Sequence, residues 1–213
     1  QELNNEWSMI SQEADGFIVR YLGKEVATVT WAPDSGVMGR HNQLNALAAI
    51  AAANHIGISP EDSARALAEF KNVKRRLETI GVANNITVYD DFAHHPTAIR
   101  TTLDGLRRQM GPSQRILAIF EPRSNTMKLG TMKSQLPWSL EQADLSFCHS
   151  GGLDWNAHEA LSIMGDKAQV ADSIDALVKQ VMAHARAGDH LLCMSNGGFG
   201  GIHDKLLNAL KQR

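Results

Sequence analysis

The hydrophobic and polar positions over residues 1–38 predict β structure. Residues 17–21 and 25–31 are rich in β-branched and aromatic side chains, which pack well in half-buried strands. Gly23-Lys24 stands between the two runs and fits a hairpin turn. The chain is therefore expected to begin with a small β-hairpin.

Two helices are predicted next. The first opens at Gly39, and its alanine- and leucine-rich run over 44–53 has small apolar residues on every face, which predicts a buried helix. Ser59-Pro60-Glu61-Asp62 has the N-cap, early proline and acidic first turn of a second helix, expected to end near Phe70. The basic segment 71–76 that follows marks a domain boundary.

From residue 77 onward, short apolar strands alternate with helices. The strands are expected at 87–89, 115–120, 145–148 and 190–194, and the helices after Pro96, from Ser173 to about Arg186, and from about Gly201, with a mixed segment over 126–140. Strands buried on both faces and separated by helices are typical of a parallel sheet covered on each side.

Composition removes several classes of protein. The 213 residues are 43% hydrophobic and carry a formal net charge of −2, which disfavours a dedicated nucleic-acid binder. The apolar run Ala46–Ala53 is far shorter than the roughly 18 residues of a membrane span. Cys148 and Cys193, each within an apolar run, are expected to be free buried thiols in a reducing compartment. The start at Gln1 suggests a piece of a longer protein.

Each predicted strand of the second region is followed by a polar cluster able to bind a ligand. The clusters are Asp90, Asp91, His94 and His95; Glu121, Arg123, Ser124 and Asn125; His149, Ser150, Gly151 and Gly152; and Ser195, Asn196, Gly197 and Gly198. In open parallel sheets, ligands bind at the carboxyl ends of the strands. These clusters therefore predict a site at that edge, and the alternative is that they are ordinary polar loops.

The densest cluster is Asp90-Asp91-Phe92-Ala93-His94-His95-Pro96. Its carboxylates and imidazoles can hold a metal, orient a ribose or exchange protons, and no third metal ligand at the right spacing is evident. Pro96 fits the first position of a helix, which places His95 at the helix N-terminus, where an anion is favoured. The alternative is that the histidines cap the helix and one aspartate faces solvent.

Two further segments have chemistry suited to a nucleotide. The glycine-rich run from Ser195 to Gly201 offers backbone N–H groups to an anion, but it is not a dinucleotide fingerprint because His203 stands where a third glycine is required. Asn42 and Asn45 are three residues apart on one helix face, and an amide matches the edge of an adenine ring. An N-cap followed by a surface amide is the alternative. No phosphate-binding P-loop occurs in the sequence.

Taken together, these motifs resemble the Mur ligases, the ATP-dependent, amide-forming enzymes of peptidoglycan precursor assembly. The resemblance is carried by Gly39-Arg40-His41-Asn42-Gln43-Leu44-Asn45-Ala46, Lys74-Arg75-Arg76-Leu77-Glu78 and the cluster 90–96. The segments 120–126 and 194–203 look most like members that join UDP-N-acetylmuramate to the recycled tripeptide L-Ala-γ-D-Glu-meso-diaminopimelate. Nearly the whole chain from Phe17 is covered.

The resemblance implies an α/β fold: a Rossmann-like, mostly parallel sheet with helices on both faces, preceded by a small β-hairpin plus helices. Residues 1–72 are similar to the C-terminal part of the family's central ATP-binding domain, and residues 73–213 to its C-terminal domain. The missing P-loop is then explained by truncation. Magnesium is expected as a cofactor with ATP, its main ligands lying in the missing part, and no metal site is expected here.

Residue roles also follow from the resemblance. The implied ATP contacts are His41, Asn42 and Asn45 for adenine, Asp91 for ribose and Arg76 for phosphate, with Arg76 and His94 as the catalytic side chains. The implied substrate-binding residues are Arg123, Ser124, Asn125, Thr126, Ser195, Asn196, Gly197, Gly198 and His203. The Asp-Asn-Pro-Arg motif of the diaminopimelate-adding ligase does not occur, so the recognition of diaminopimelate stays open.

The implied activity is that of a cytoplasmic ligase whose partners are UDP-N-acetylmuramate, the tripeptide and the rest of its own chain, with no nucleic acid and no membrane. A carboxylate is activated as an acyl phosphate and an amine then attacks it; the fragment alone is expected to be inactive. The alternatives are another ligase of the superfamily, such as the L-alanine-adding enzyme or folylpolyglutamate synthase, a non-catalytic binding module, and a His/Asp metallohydrolase.

Overall fold

The computed structural model describes residues 6–12, 16–32, 35–37, 39–111 and 113–213. The chain forms two compact units, residues 1–73 and 74–213. The predictions for residues 1–5, 13–15, 33–34 and 38 lie outside the described residues.

The first unit contains a three-stranded antiparallel sheet in the order β1-β2-β3, with strands Trp7–Ser11, Phe17–Tyr21 and Lys24–Val29. The strand β1 was not predicted as a separate element. The turn between β2 and β3 is Leu22-Gly23, one residue earlier than expected, and both residues have positive φ, 50° and 79°. Tyr21 and Lys24 are therefore paired, as in a two-residue hairpin.

Two helices complete the first unit, α1 (Arg40–His55) and α2 (Pro60–Ala68). The Ser59 hydroxyl accepts the N–H of Asp62, which confirms the predicted N-cap. The prediction that the first helix is buried holds for one face alone, where Gln43, Ala46 and Ile50 lie. Small side chains permit close approach on every face but do not require it.

The second unit is built on a six-stranded sheet in the order β4-β5-β9-β6-β7-β8. Its strands are β4 Glu78–Ala83, β5 Ile86–Asp91, β6 Ile116–Phe120, β7 Leu145–His149, β8 Ala168–Ala171 and β9 His190–Met194. Its helices are α3 Pro96–Gln109, α4 Asn125–Lys128, α5 Leu136–Ser139, α6 Ala157–Leu161, α7 Ile174–His184 and α8 Ile202–Lys211, with 3₁₀ segments at Lys133–Gln135, Ser162–Lys167 and Phe199–Gly201.

The strand β4 pairs antiparallel with β5, and all other neighbouring strands are parallel. The hairpin β4–β5 was not predicted. Its connection is Asn84-Asn85, both with positive φ, as a type I′ turn requires. The Asn84 amide also donates to the carbonyl of Leu210 at 2.6 Å, which holds the turn against the end of α8.

Both faces of the central strands of this sheet are buried, whereas Ile80 and Val82 of the edge strand β4 are exposed. On one face Leu117, Ile119, Leu191 and Cys193 join a core with residues of α7 and α8, and the alternating residues Ile116, Ala118, Phe120, Leu192 and Met194 are buried as well. The prediction of a mostly parallel sheet covered on both faces is therefore confirmed. Within the described ranges, no helix combines the length and the apolar character needed to span a membrane.

The two cysteines, Cys148 and Cys193, are free and fully buried, as predicted. Burial raises the pKa of both thiols. They therefore act as small apolar core residues.

Truncating a side chain in the middle of the sheet is expected to destabilise the second unit. Leu191 is fully buried, so Leu191→Ala should lower the free energy of unfolding by about 2–5 kcal/mol through lost burial and a residual cavity. Leu129→Ala is the matched control, since Leu129 is 72% exposed and should change stability by less than about 0.5 kcal/mol. Urea denaturation measures both, and equal effects would contradict the assignment of Leu191 to the core.

Candidate active site

The parallel register brings the predicted polar clusters to one edge of the sheet. Asp91 at the end of β5 is opposite Met194 at the end of β9, and Met194 is opposite Phe120 at the end of β6. Phe120 is in turn opposite Cys148, near the end of β7. The side chains that follow these strands therefore form one continuous polar edge.

Asp90 is buried between the guanidinium of Arg75 and the imidazole of His203. Its Oδ2 lies 3.0 Å from Arg75 Nε, and its Oδ1 lies 3.3 Å from His203 Nε2, an ion-pair distance without hydrogen-bond geometry. Burial by itself would raise the pKa of the Asp90 carboxyl. His203 and Arg75 outweigh that effect and hold the pKa below its usual value.

Asp91 is 4% exposed, and its carboxylate oxygens accept hydrogen bonds from backbone N–H groups. Its Oδ2 accepts the N–H of Leu77 at 2.8 Å, and its Oδ1 accepts the N–H of Ala93 at 2.7 Å and the hydroxyl of Thr102 at 3.3 Å. Burial raises the pKa of the Asp91 carboxyl, and these donors oppose the rise. The alternative that one aspartate faces solvent is wrong, and the ribose role of Asp91 stays a prediction.

Arg75 connects this carboxylate pair to the glycine-rich turn. Its guanidinium donates to Asp90 and also to the carbonyls of Ser195 and Gly197, both at 2.7 Å. The sequence reasoning missed Arg75, because in the run Lys74-Arg75-Arg76 it looks like one of several solvated charges. No neighbouring residue in the sequence distinguishes Arg75 from the other two. Glu78 accepts its backbone N–H, but the partners of its guanidinium are distant in the chain.

The two predicted catalytic residues lie beside Phe92. Arg76 is exposed, and its guanidinium carbon is 5.7 Å from the centre of the Phe92 ring. His94 Nδ1 is 2.8 Å from the Phe92 carbonyl. His95 is the N-cap residue before Pro96, as predicted, but its side chain forms no cap hydrogen bond. Burial and the neighbouring His94 lower the pKa of His95.

A second hydrogen-bonded group joins the end of β6 to the glycine-rich turn, with His149 of β7 beside it. The Ser195 hydroxyl donates to Glu121 Oε2 at 2.7 Å and accepts the N–H of Gly197 at 2.9 Å. His149 Nδ1 is buried without a hydrogen bond and lies 3.7 Å from Glu121 Oε1. Glu121 and His149 belong to predicted strand-end clusters, but neither was chosen as a site residue.

Arg123 lies against the glycine-rich turn, and its guanidinium packs on the backbone of Gly197. A Cβ atom at Gly197 would come within 2.5 Å of Arg123 Nη1, so any side chain at this position would displace the guanidinium. Neither Glu121 nor Asp91 forms an ion pair with Arg123, although the sequence left that pairing open. The next residue, Ser124, caps α4 by accepting the N–H of Met127, while Asn125 and Thr126 are exposed on that helix.

The glycine-rich turn uses part of its backbone N–H groups within the protein, and its role as an anion cradle stays a prediction. A 3₁₀ segment precedes α8, whose N-cap is Gly201, and the N–H of Gly197 is already bonded to Ser195. Asn196 Oδ1 is buried without a partner, whereas Gly198 is exposed. His203, in the first turn of α8, faces Asp90 instead of a free surface.

A cavity of about 210 Å³ opens at this edge of the sheet. Its lining combines one carboxylate, two cationic side chains and an imidazole with backbone and apolar groups; the residues are Glu121, Pro122, Arg123, Lys128, His149, Gly151 and Leu153. Of the predicted substrate-binding residues, only Arg123 lines it.

The predicted adenine contacts are in the first unit, on the first two turns of α1. His41 and Asn45 are exposed and Asn42 is half-buried. The N-cap is Gly39, so Asn42 is a helical residue and not the cap that was the alternative. The three side chains stay predicted contacts.

Among the residues that the structure describes, no group of three or more His, Cys, Asp or Glu side chains is arranged to hold a metal ion. The reading of the 90–96 cluster as a metallohydrolase centre therefore has no ligand set among those residues.

Many classes of enzyme have an open α/β sheet with polar loops at its carboxyl edge. Comparison with known proteins identifies the family to which this chain belongs. The family model "Mur ligase, glutamate ligase domain" matches residues 75–197, more than half of the chain. The chain belongs to the Mur ligase family, which confirms the resemblance found in the sequence motifs.

Two curated relatives have the same name, UDP-N-acetylmuramate–L-alanyl-gamma-D-glutamyl-meso-2,6-diaminoheptandioate ligase. The protein from Haemophilus influenzae is 47% identical over 98% of this chain and 46% of its own length, and the protein from Escherichia coli is 46% identical over 96% and 44%. A murein peptide ligase from Psychrobacter arcticus superimposes with a TM-score of 0.75 at 42% identity, over 99% of this chain and 45% of that one. The chain spans about half the length of the relatives that it matches.

Replacing Asp90 with asparagine is expected to reduce the acid sensitivity of the fold. The pKa of Asp90 lies below its ordinary value of 3.8, so as the pH falls the unfolded chain binds the proton first and the native state loses stability. Between about pH 6 and about pH 3, the free energy of unfolding should therefore fall less in Asp90→Asn than in the parent protein, as urea denaturation at each pH would show. Asp204→Asn, an exposed position on α8, is the control, and an identical fall in all three proteins would contradict the prediction.

Proposed function

We propose that this chain is the C-terminal part of a ligase that uses ATP to join UDP-N-acetylmuramate to L-Ala-γ-D-Glu-meso-2,6-diaminoheptanedioate. Support comes from the two relatives of that name, which match 96–98% of the chain. The structural observation that carries the proposal is the charged cavity at the carboxyl edge of the sheet, with Arg123 exposed at its wall. A guanidinium pairs with carboxylates in two parallel hydrogen bonds, and the peptide has several carboxylates.

In this proposal, residues 1–72 are the end of the ATP-binding central domain and residues 73–213 are the C-terminal domain. The proposed adenine contacts are His41, Asn42 and Asn45, with Asp91 near the ribose. The rest of the polypeptide supplies the phosphate-binding loop and the magnesium ligands, so ligase activity belongs to the complete protein. The proposed enzyme works in the cytoplasm, where free thiols such as Cys148 persist.

ATP supplies the activation of the muramate carboxylate as an acyl phosphate, which the amino group of L-alanine then attacks with loss of phosphate. The charge that develops on the transferred phosphoryl group needs a cation directed at it. Arg76 suits that role because its guanidinium is exposed and is held over Phe92, 5.7 Å from the ring centre. His94, which is adjacent to the same ring, is the second proposed catalytic side chain.

The peptide site in this proposal comprises the loop 123–126 and the glycine-rich turn. Arg123 receives a peptide carboxylate, while Ser124 positions α4 and Asn125 and Thr126 face outward from it. On the turn, Ser195 and Gly197 orient the walls through their hydrogen bonds. Asn196, Gly198 and His203 stay proposed substrate-binding residues, and the structure gives His203 a partner in Asp90.

Removing the Arg76 guanidinium is expected to slow the complete ligase without unfolding it. Arg76 is exposed, so Arg76→Ala should leave the melting temperature nearly unchanged. Loss of one cation directed at the phosphoryl group should cost about 2–4 kcal/mol of transition-state stabilisation, which lowers kcat by roughly 30- to 1,000-fold. Phosphate release with the tripeptide as substrate measures the rate. Arg108→Ala, at an exposed position on α3, is the control, and a rate within a few-fold of the parent's would mean that Arg76 is only a surface charge.

Arg123→Lys tests whether the guanidinium binds the peptide. Lysine keeps the charge but cannot form two parallel hydrogen bonds to a carboxylate. The KM for the tripeptide should rise roughly tenfold, and the KM for ATP and the melting temperature should hold. Equal losses for both substrates, or a large fall in melting temperature, would instead assign Arg123 a structural role.

A further inference from the structure

In the part of the chain that the structure describes, three charged side chains of the cavity wall have hydrogen-bonding or ion-pairing groups without a protein partner. Glu121 accepts the Ser195 hydroxyl on Oε2, while its Oε1 receives no hydrogen bond from the described residues. In the same ranges, the ammonium of Lys128 and the guanidinium of Arg123 have no carboxylate partner. By contrast, Arg107 and Arg115 of the same unit are both paired with aspartates.

The charged side chains of the cavity wall are therefore one carboxylate, Glu121, and two cations, Arg123 and Lys128, with the His149 ring beside the carboxylate. The chemical complement of the cavity is a group with one ammonium and two carboxylates, since each of these three charges then has a partner of opposite sign. At about 210 Å³ the cavity is smaller than the roughly 300–1,000 Å³ of pockets for drug-sized ligands, so it suits one residue of a peptide instead of a whole tripeptide.

We propose that this cavity binds the diaminoheptanedioate residue of the peptide, with its free ammonium on Glu121 Oε1 and its two carboxylates on Arg123 and Lys128. This inference rests on the proposed function. When 2,6-diaminoheptanedioate is joined to a peptide through its 2-amino group, one ammonium and two carboxylates remain. The alanine and glutamate residues together offer one ammonium and one carboxylate, which would leave one of the two cations unpaired.

The surroundings of Glu121 hold its carboxylate in place for this contact. The Ser195 hydroxyl fixes Oε2 at 2.7 Å and is itself held by the N–H of Gly197. Gly151 packs on the His149 ring, where a Cβ atom would come within 2.8 Å of Cε1, so the opposite wall is also closely fitted. Glu121 is thus a specificity-determining residue that the sequence motifs do not single out.

Titration calorimetry of the 213-residue chain with three peptides tests the assignment. The peptides share L-Ala-γ-D-Glu and end in meso-2,6-diaminoheptanedioate, in lysine, which lacks one carboxylate, or in 2-aminoheptanedioate, which lacks the free amine. The parent chain should bind the first peptide roughly tenfold more tightly than either of the others, because each omission leaves one charge of the cavity wall without its partner.

Glu121→Gln is the decisive variant, because glutamine keeps the shape and can still accept the Ser195 hydroxyl. It should weaken binding of the two amine-containing peptides roughly tenfold and leave the 2-aminoheptanedioate peptide within about twofold of the parent value. Lys128→Gln should weaken binding of the diaminoheptanedioate peptide several-fold at an unchanged melting temperature. Glu159→Gln on α6 and Lys179→Gln on α7, both exposed, are the matched controls.

Equal weakening of all three peptides by Glu121→Gln would show a structural role and overturn the inference. The inference would also be overturned if the parent chain bound no peptide, or if both cavity variants kept the parent's preference among the peptides. A ligase assay of the complete protein tests the proposed function separately. Ligase activity without a change of preference in Glu121→Gln refutes the inference alone. Selective binding by the chain without ligase activity in the complete protein refutes the proposed function alone.

Discussion

The adjacent carboxylates of Asp90 and Asp91 are buried at the end of β5, and a buried carboxylate is stable only when cations or N–H donors compensate its charge. Arg75 and His203 compensate Asp90, while the N–H groups of Leu77 and Ala93 compensate Asp91. The N–H of Phe92 also donates to the carbonyl of Arg75. The carboxylates of Asp90 and Asp91 therefore hold the residues next to Arg76 and His94, the proposed catalytic side chains, at the end of β5.

The glycine-rich turn joins this carboxylate pair to the charged cavity. Through its carbonyls, Ser195 and Gly197 bind Arg75; through the Ser195 hydroxyl, the turn also binds Glu121. One hydrogen-bonded network thus runs from the end of β5 across β9 to β6. Arg75 and Glu121 therefore contact opposite sides of the same turn.

Sequence signals carried by neighbouring residues predicted individual helices and strands better than they predicted which strands pair. The strand β9 follows from a short apolar run, and the helix starts follow from the capping residues Ser59 and Ser173 and from Pro96. The hairpin β4–β5 was missed because its turn is Asn84-Asn85, without the glycine that usually marks such turns. Residues 168–171 were missed because the four-residue strand β8 is stabilised by pairing with β7 and not by its own composition.

By itself, the sequence determined the α/β class, the family and the edge of the sheet where polar side chains gather, because these depend on periodicity and on motifs of a few neighbouring residues. Only the tertiary structure decided which charges are used within the protein and which are left for a ligand. Arg75 and Arg123 look alike in the sequence, yet one is bonded to Asp90 and two carbonyls while the other lines a cavity. The physical reason is that charge compensation depends on distances between residues up to about 120 positions apart in the chain, which no local pattern encodes.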